Sequence, residues 1–265
     1  MSQVKDARPT PRPEPPQESL AAKVWRQGKE IVLILVLALV ISAVLRAFVG
    51  QLFVIPSGSM ENTLMPGDRV VAVKPLDVHR GDIVVFKDSQ RWMGDPPPRR
   101  TGLGRALEFV GLLPDTSSNY LVKRVIGMPG DTVECCDPQG RLVVNGHSLD
   151  ESSYLYRDPA GHQVAPSAIR FKVVVPQGHI FVMGDHRDAS GDSRYHLTDV
   201  DPNGYRGSRA FIALDDVVGP TKAIVFPLNR FRVITHPPSD LSAPPDRAAS
   251  APRRGEVCVG STSCR

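Results

Sequence analysis

Apolar and polar positions change rhythm twice along the chain. Residues 1–22 hold five prolines, mixed charges and almost no large apolar side chains, so too little apolar surface is present to offset ordering, and a disordered arm is expected. From Lys23 the pattern turns helical, with Lys23, Arg26 and Lys29 ahead of a run, Ile31–Val49, that is apolar except for Ser42 and Arg46. Nineteen residues at about 1.5 Å each span roughly 28 Å, close to the hydrocarbon thickness of a bilayer. Basic residues precede the run and none occurs between Ala47 and Asp68, which predicts a cytoplasmic N-terminus and the rest of the chain outside. Arg46 is near enough to the end to snorkel to the interface. Residues 23–49 therefore read as a signal-anchor transmembrane helix. The alternatives are a buried globular helix and a cleaved leader; a long lead and the lack of a small-x-small site speak against the latter.

Beyond the run the period shortens to that of β-strands. Arg69–Lys74 and Asp82–Lys87 are β-branched runs parted by Pro75 and Arg80-Gly81. Segment 88–119 breaks the rhythm with Gly94-Asp95-Pro96-Pro97-Pro98 and then Leu103–Leu113, which can be drawn as a short amphipathic helix on lipid or on the protein surface. It reads as an insertion. Strands resume at Tyr120–Ile126, Thr132–Cys136 and Arg141–Val144, with Asn145-Gly146 as a hairpin turn. A loop-rich excursion over 150–168 precedes Ile169–Val175 and His179–Met183, and Ala210–Leu214 with Val217–Val225 closes the sheet. Within this, 137–180 is drawn as a secondary β subdomain. From Pro227 to Arg265 the composition becomes Pro-, Ser-, Ala- and Arg-rich, which predicts a disordered tail. The expected class is mainly β: a single N-terminal transmembrane helix, then over 50–226 an extracytoplasmic antiparallel β-sheet domain with a β-rich insertion.

Composition adds little to this. A length of 265 residues allows one sizeable core or two small ones, and the net charge of +4 is scattered, which gives nucleic-acid binding no support. The four cysteines show no zinc spacing. Adjacent Cys135 and Cys136 are expected to bridge poorly, whereas Cys258 and Cys264 could close a small loop in an oxidising compartment.

Candidate chemistry begins directly after the apolar run, in Ile55-Pro56-Ser57-Gly58-Ser59-Met60-Glu61-Asn62-Thr63-Leu64. Ten residues separate Val49 from Ser59, so the link reaches at most about 35 Å and tethers the serines near the outer membrane face. If one hydroxyl attacks a peptide bond, the other can donate to the oxyanion; on residue types alone an ordinary turn is the plainer account. Lys123 lies in Leu121-Val122-Lys123-Arg124-Val125-Ile126-Gly127-Met128-Pro129-Gly130-Asp131, where strand alternation turns Lys123 and Arg124 to opposite faces. A sheet-edge lysine is one reading. The sharper one buries Lys123 beside Ser59 and keeps it neutral. A free lysine is deprotonated in only about one molecule in 2,500 at pH 7, but burial lowers the pKa by up to several units and yields a usable base. Such a pair needs no histidine, and the seven histidines form no evident Ser-His-Asp arrangement. A third block, Met183–Arg194, offers Asp185, Asp188 and Asp192 as calcium ligands, against which its interleaved basic residues argue.

Taken in order, Pro56–Met60 (PSGSM), Gly81–Phe86 (GDIVVF), Lys123–Asp131 (KRVIGMPGD) and Gly184–Arg194 (GDHRDASGDSR) resemble the motifs of the type I signal (leader) peptidases, from the anchor to about residue 226. The resemblance implies that Ser59 is the nucleophile and Lys123 the general base. It implies an oxyanion hole of Ser57 Oγ and the Ser59 backbone N–H. Ser190 would orient the Lys123 amine, and Asp185 with Arg124, and Asp192 with Arg194, would hold the frame. Phe53, Ile55, Met60 and Val122 would line shallow pockets for small side chains. Implied partners are secretory precursors and the lipid bilayer of the cell membrane, with neither metal nor organic cofactor. His186 and Ala189 stand where asparagines are common in that family, and Asn62 where proline is common. The insertion and the tail match no part of it. Three rivals stay open: a Ser/His/Asp hydrolase using His186 or His196, a self-cleaving repressor-type Ser/Lys protease, and a non-catalytic membrane-anchored β domain that binds peptides or envelope partners.

Overall fold

The computed structural model describes residues 20–48, 50–74, 77–95, 98, 101–105, 119–234, 241, 244–245 and 247–260, with side chains along the first helix from Trp25 to Ser42. The chain divides into two units, Met1–Ser42 and Ala43–Arg265. Helix α1 spans Leu20–Phe48. Between Ile31 and Ile41 its large apolar side chains are exposed on every side, from 48% to 68%. Among the described residues no helix is long and apolar enough to cross a membrane. The described side chains include Arg26, Lys29 and Glu30, whereas the 43–49 part of the expected span lies outside them.

The second unit is built from antiparallel strands, as the β-branched runs require. They are β1 (Gly50–Val54), β2 (Arg69–Val73), β3 (Ile83–Lys87), β4 (Tyr120–Gly127), β5 (Thr132–Cys135), β6 (Leu142–Val144), β7 (His147–Ser148), β8 (Phe171–Val174), β9 (His179–Met183), β10 (Ile212–Ala213), β11 (Val217–Phe226), β12 (Arg232–Val233) and β13 (Glu256–Val259). One sheet runs β1-β2-β11-β3-β4-β9-β10, with β12 beside β11; the other runs β13-β8-β5-β6-β7. The β-rich insertion is β5–β8 of this second sheet, set between β4 and β9 of the first.

The chain crosses between sheets where glycine is required. A Cβ on Gly127 would strike Val133 and Val175, and one on Gly130, at φ +84°, would occupy the place of the Arg247 carbonyl. Asp131 closes that corner. Its carboxylate accepts from the Met128 N–H at 2.7 Å and from Arg80 through Nε and Nη2 at 2.8 and 2.9 Å. Val84, Phe86, Val125, Ile180, Val182 and Ile212 form one buried layer, and Ile126, Val133, Leu142, Val144, Phe171 and Phe181 belong to another.

Four sequence expectations change. Strand β1 was not read from the sequence, because only Gly50-Gln51 separates its apolar residues from the preceding apolar run, yet it pairs with β2 from Gly50↔Val73 to Val54↔Arg69. The tail drawn as disordered carries β12 and β13, and β13 pairs with β8 along its length. Its proline-rich part offers carbonyls to buried donors: Arg80 Nη1 donates to Leu241 and Pro244, and Asn145 Nδ2 to Pro245. The second sheet begins at Thr132 rather than 137 and takes an outer strand from the C-terminus. Cys135 and Cys136 are joined in a disulfide across a cis peptide, with Cα atoms 3.0 Å apart. Cys258 is also disulfide-bonded, its partner lying outside the described residues. Segment 88–119 leaves from the end of the β3–β4 hairpin, where Lys87 pairs with Tyr120. Of the helix drawn at 103–113, residues 103–105 are helical and the remainder lies outside the described residues.

Candidate active site

The serine motif forms a single 3-10 turn, Gly58–Met60, entered through an extended Ser57. Its apolar side is sunk into the domain: Ile55, Met60 and Leu64 pack with Val70, Ile83 and Ile224, and Phe53 and Val122 lie against the same cluster. Burial of Ile55, Met60 and Leu64, at about 1.5–3 kcal/mol each, fixes the turn on the sheet. The chain then bends through Asn62, whose φ of +80° lies in the left-handed region. Its amide donates to the carbonyls of Tyr154 and Leu155, each at 3.2 Å.

Strand β4 brings Lys123 to this turn. Lys123 Nζ is 2.6 Å from Ser59 Oγ, and the two side chains' residues are 3% and 7% exposed. Burial pushes the Lys123 pKa down to about 8, further than the Asp192 and Asp185 carboxylates pull it up, and the Arg194 cation adds to the lowering. Ser57 Oγ stands 3.5 Å from Ser59 Oγ, on the exposed side.

Arg124, the next residue, takes different partners. It grips Asp185 with two bonds, Nε to Oδ1 at 2.8 Å and Nη2 to Oδ2 at 2.6 Å, and its Nη1 donates to the Gly81 carbonyl. Its guanidinium lies 4.2 Å from the Tyr154 ring centroid. Asp192 and Arg194 form a second two-bond pair, Nε to Oδ1 and Nη2 to Oδ2, both at 2.8 Å. Burial would push the Asp192 carboxyl up; bonds and charge from Arg194 outweigh it and hold the carboxyl below its ordinary value. The Ser190 hydroxyl donates to Asp192 Oδ2 at 2.8 Å, which ties it to the same carboxylate. Gly184 lets these parts close up: a Cβ there would overlap Ser190 Oγ and crowd the Ser59 carbonyl.

The histidines stand elsewhere. His186 Nδ1 faces the Gly58 carbonyl at 3.3 Å and Glu61 Oε2 at 3.1 Å, while His196 bonds Asp199 and stacks on Trp92. Neither is placed as a base for Ser59, whose hydroxyl meets Lys123. Asp185 and Asp192 are engaged by arginines and Asp188 by His186. Two groups escaped the sequence reading. Thr63 Oγ1 donates to Asp185 Oδ2, and Glu151 binds the fully buried Arg187 and accepts from Tyr154 Oη at 2.6 Å. Glu151 comes from a loop-rich stretch with no periodicity to mark it.

The family described as signal peptidase, peptidase S26, matches residues 28–226. A signal peptidase I of Mycobacterium tuberculosis is 34% identical over 230 residues, covering 78% of this chain and 75% of that protein. One of Pseudomonas fluorescens is 32% identical over 222 residues, covering 70% and 68%. A crystal structure of a signal peptidase I from Enterococcus faecalis aligns at 23% identity and a TM-score of 0.32, over 55% of this chain and 97% of that one, too distant to carry an argument. The chain belongs to the signal peptidase family, peptidase S26. It is a serine peptidase of the signal peptidase I class.

Proposed function

We propose that this protein is a membrane-bound endopeptidase that removes N-terminal signal peptides from secreted precursors, cutting after small residues in an Ala-x-Ala pattern. The observation that carries the reading is the buried 2.6 Å contact between Lys123 Nζ and Ser59 Oγ. With a pKa near 8, roughly one amine in ten is neutral at pH 7. Ser59 Oγ attacks the scissile carbonyl carbon as its proton passes to Lys123 Nζ. The negative charge that develops on the carbonyl oxygen is met by the Ser59 N–H and the Ser57 hydroxyl, a contribution of about 3–4 kcal/mol per donor. Collapse breaks the C–N bond, and Lys123 returns the proton to the leaving amine. Water, deprotonated by the same amine, then cleaves the acyl ester and regenerates Ser59. Asp185 with Arg124, and Asp192 with Arg194 and Ser190, hold the frame, while Phe53, Ile55, Met60 and Val122 supply a shallow apolar lining that suits small side chains.

Two apolar surfaces support location at a membrane, and the basic residues ahead of the apolar run favour the catalytic domain on the outer side. One is the all-round apolar stretch Ile31–Ile41. The other is a sheet face on which Leu52, Val71, Ala223 and Val233 are cross-strand partners. Exposed Val54, Phe226, Leu228 and Phe231 belong to the same strands or the turn that joins them.

The test is incubation of the purified full chain with a precursor in detergent or lipid and mapping of the cut bond. Cleavage after a small-x-small pattern is expected, with loss of at least about a thousandfold in Ser59→Ala and Lys123→Met. Retained cleavage in either folded variant would refute the proposed pair.

A further inference from the structure

The Ser59 N–H and the Gly58 carbonyl belong to one peptide unit, so they point in opposite directions and cannot turn independently. Whatever fixes the Gly58 carbonyl therefore aims the N–H. Two donors reach that carbonyl: the Glu61 N–H at 2.9 Å, which closes the 3-10 turn, and His186 Nδ1 at 3.3 Å from the far loop. The His186 N–H also donates to the Ser59 carbonyl at 3.1 Å, so one residue holds the peptide groups on both sides of the serine.

The imidazole is itself held. Both neighbours of Nδ1, the Gly58 carbonyl and the Glu61 carboxylate, can only accept, which places a proton on Nδ1. The ring stacks on Tyr156 at a centroid distance of 3.7 Å, and Nε2 faces Asp188 Oδ1 at 3.3 Å. Glu61 from the serine turn, Asp188 from the ring's own loop and the Tyr156 hydroxyl-bearing ring are the titratable groups around it.

We infer that His186 is a positioning residue for the oxyanion-binding peptide: by donating to the Gly58 carbonyl it orients and polarises the Ser59 N–H. The inference rests on the reading of Ser59 as nucleophile and oxyanion donor. It predicts an effect on the transition state rather than on substrate binding. Asparagine should substitute, because its Nδ2 lies one bond beyond Cγ, where His186 Nδ1 lies. Phenylalanine keeps the ring stacked on Tyr156 but donates nothing.

The experiment measures kcat, KM and the pH dependence of precursor cleavage for His186→Asn and His186→Phe, with Ser59→Ala alongside. The Phe variant is expected to lose about tenfold in kcat, with KM within about twofold and the pH midpoint of the activity rise unmoved; the Asn variant should stay within about threefold of the parent. If the Phe variant does not fold by circular dichroism, His186→Ala takes its place with the same expectation. Undiminished kcat without the donor, equal losses in both variants, a loss confined to KM, or a shifted pH midpoint would each overturn the role. Cleavage by Ser59→Ala would overturn the underlying reading instead, whereas a dead Ser59→Ala beside an undiminished Phe variant removes the His186 role alone.

Discussion

Lys123 and Arg124 are neighbours on β4 and equally buried, at 3% and 4% exposure, yet they are neutralised in different ways. Arg124 has a carboxylate held by two bonds, a carbonyl and an aromatic face. Lys123 has a hydroxyl, and the nearest carboxylates are tied to arginines of their own. A cation matched in this way is a structural part. One left without a carboxylate partner lowers its pKa and becomes a chemical reagent, at the expense of stability.

This contrast can be broken by substituting each cation with methionine. Arg124→Met leaves Asp185 buried and uncompensated and should cost about 3–5 kcal/mol, seen as a large fall in thermal midpoint. Lys123→Met should do the reverse and raise stability at pH 7 by up to about 3 kcal/mol, seen as a higher thermal midpoint, because the folded pKa of about 8 lies below the ordinary lysine value. If both variants lose stability, the distinction between the two sites fails.

Titration sharpens it. The folded protein binds fewer protons at Lys123 than the unfolded chain, so stability should rise with pH between about 8 and 10.5, and this rise should vanish in Lys123→Met. Cleavage at fixed substrate should likewise climb as pH passes about 8, where the amine becomes neutral. A pH-independent rate from 6 to 9 would contradict the burial of Lys123, since roughly 1% to 90% of it should be neutral across that range.

The smallest expected effect concerns the turn that meets both cations. Asn62→Pro forces φ to about −65° where the chain needs +80°, and removes the amide bonds to Tyr154 and Leu155. Asn62→Gly keeps the conformation and removes the bonds only. Chemical denaturation should show a loss of about 1–2 kcal/mol for glycine and more for proline. Equal stability of the two variants would mean that the left-handed bend is not needed.

Most strands were legible because runs such as Arg69–Lys74 and Asp82–Lys87 are short, β-branched and bounded by polar and turn-forming residues, and the hairpin at Asn145-Gly146 follows from turn chemistry. Their order was not, since Val217–Phe226 lies between β2 and β3 through contacts far apart in sequence. The proximity of Lys123 to Ser59 was one of two readings of the residues, and motif resemblance favoured it, as spacing alone cannot fold 64 residues back on a serine. Ser190 shows the limit of that route. Its position could be carried over, but its bond to Asp192 depends on side-chain geometry. The pairing of Arg187 with Glu151 left no trace in the sequence, because a buried pair and a solvated pair have the same composition.

Strand β13 has a practical consequence for anyone shortening the chain to its recognisable family region, which ends at residue 226. Such a truncated protein would expose the outer N–H and C=O row of β8 from Phe171 to Val174, a template on which other molecules can zip together. It would also strip Asn145 and Arg80 of carbonyls they serve inside the domain. Aggregation of that fragment would report a missing strand, and restoring residues up to Gly260 should return it to solution.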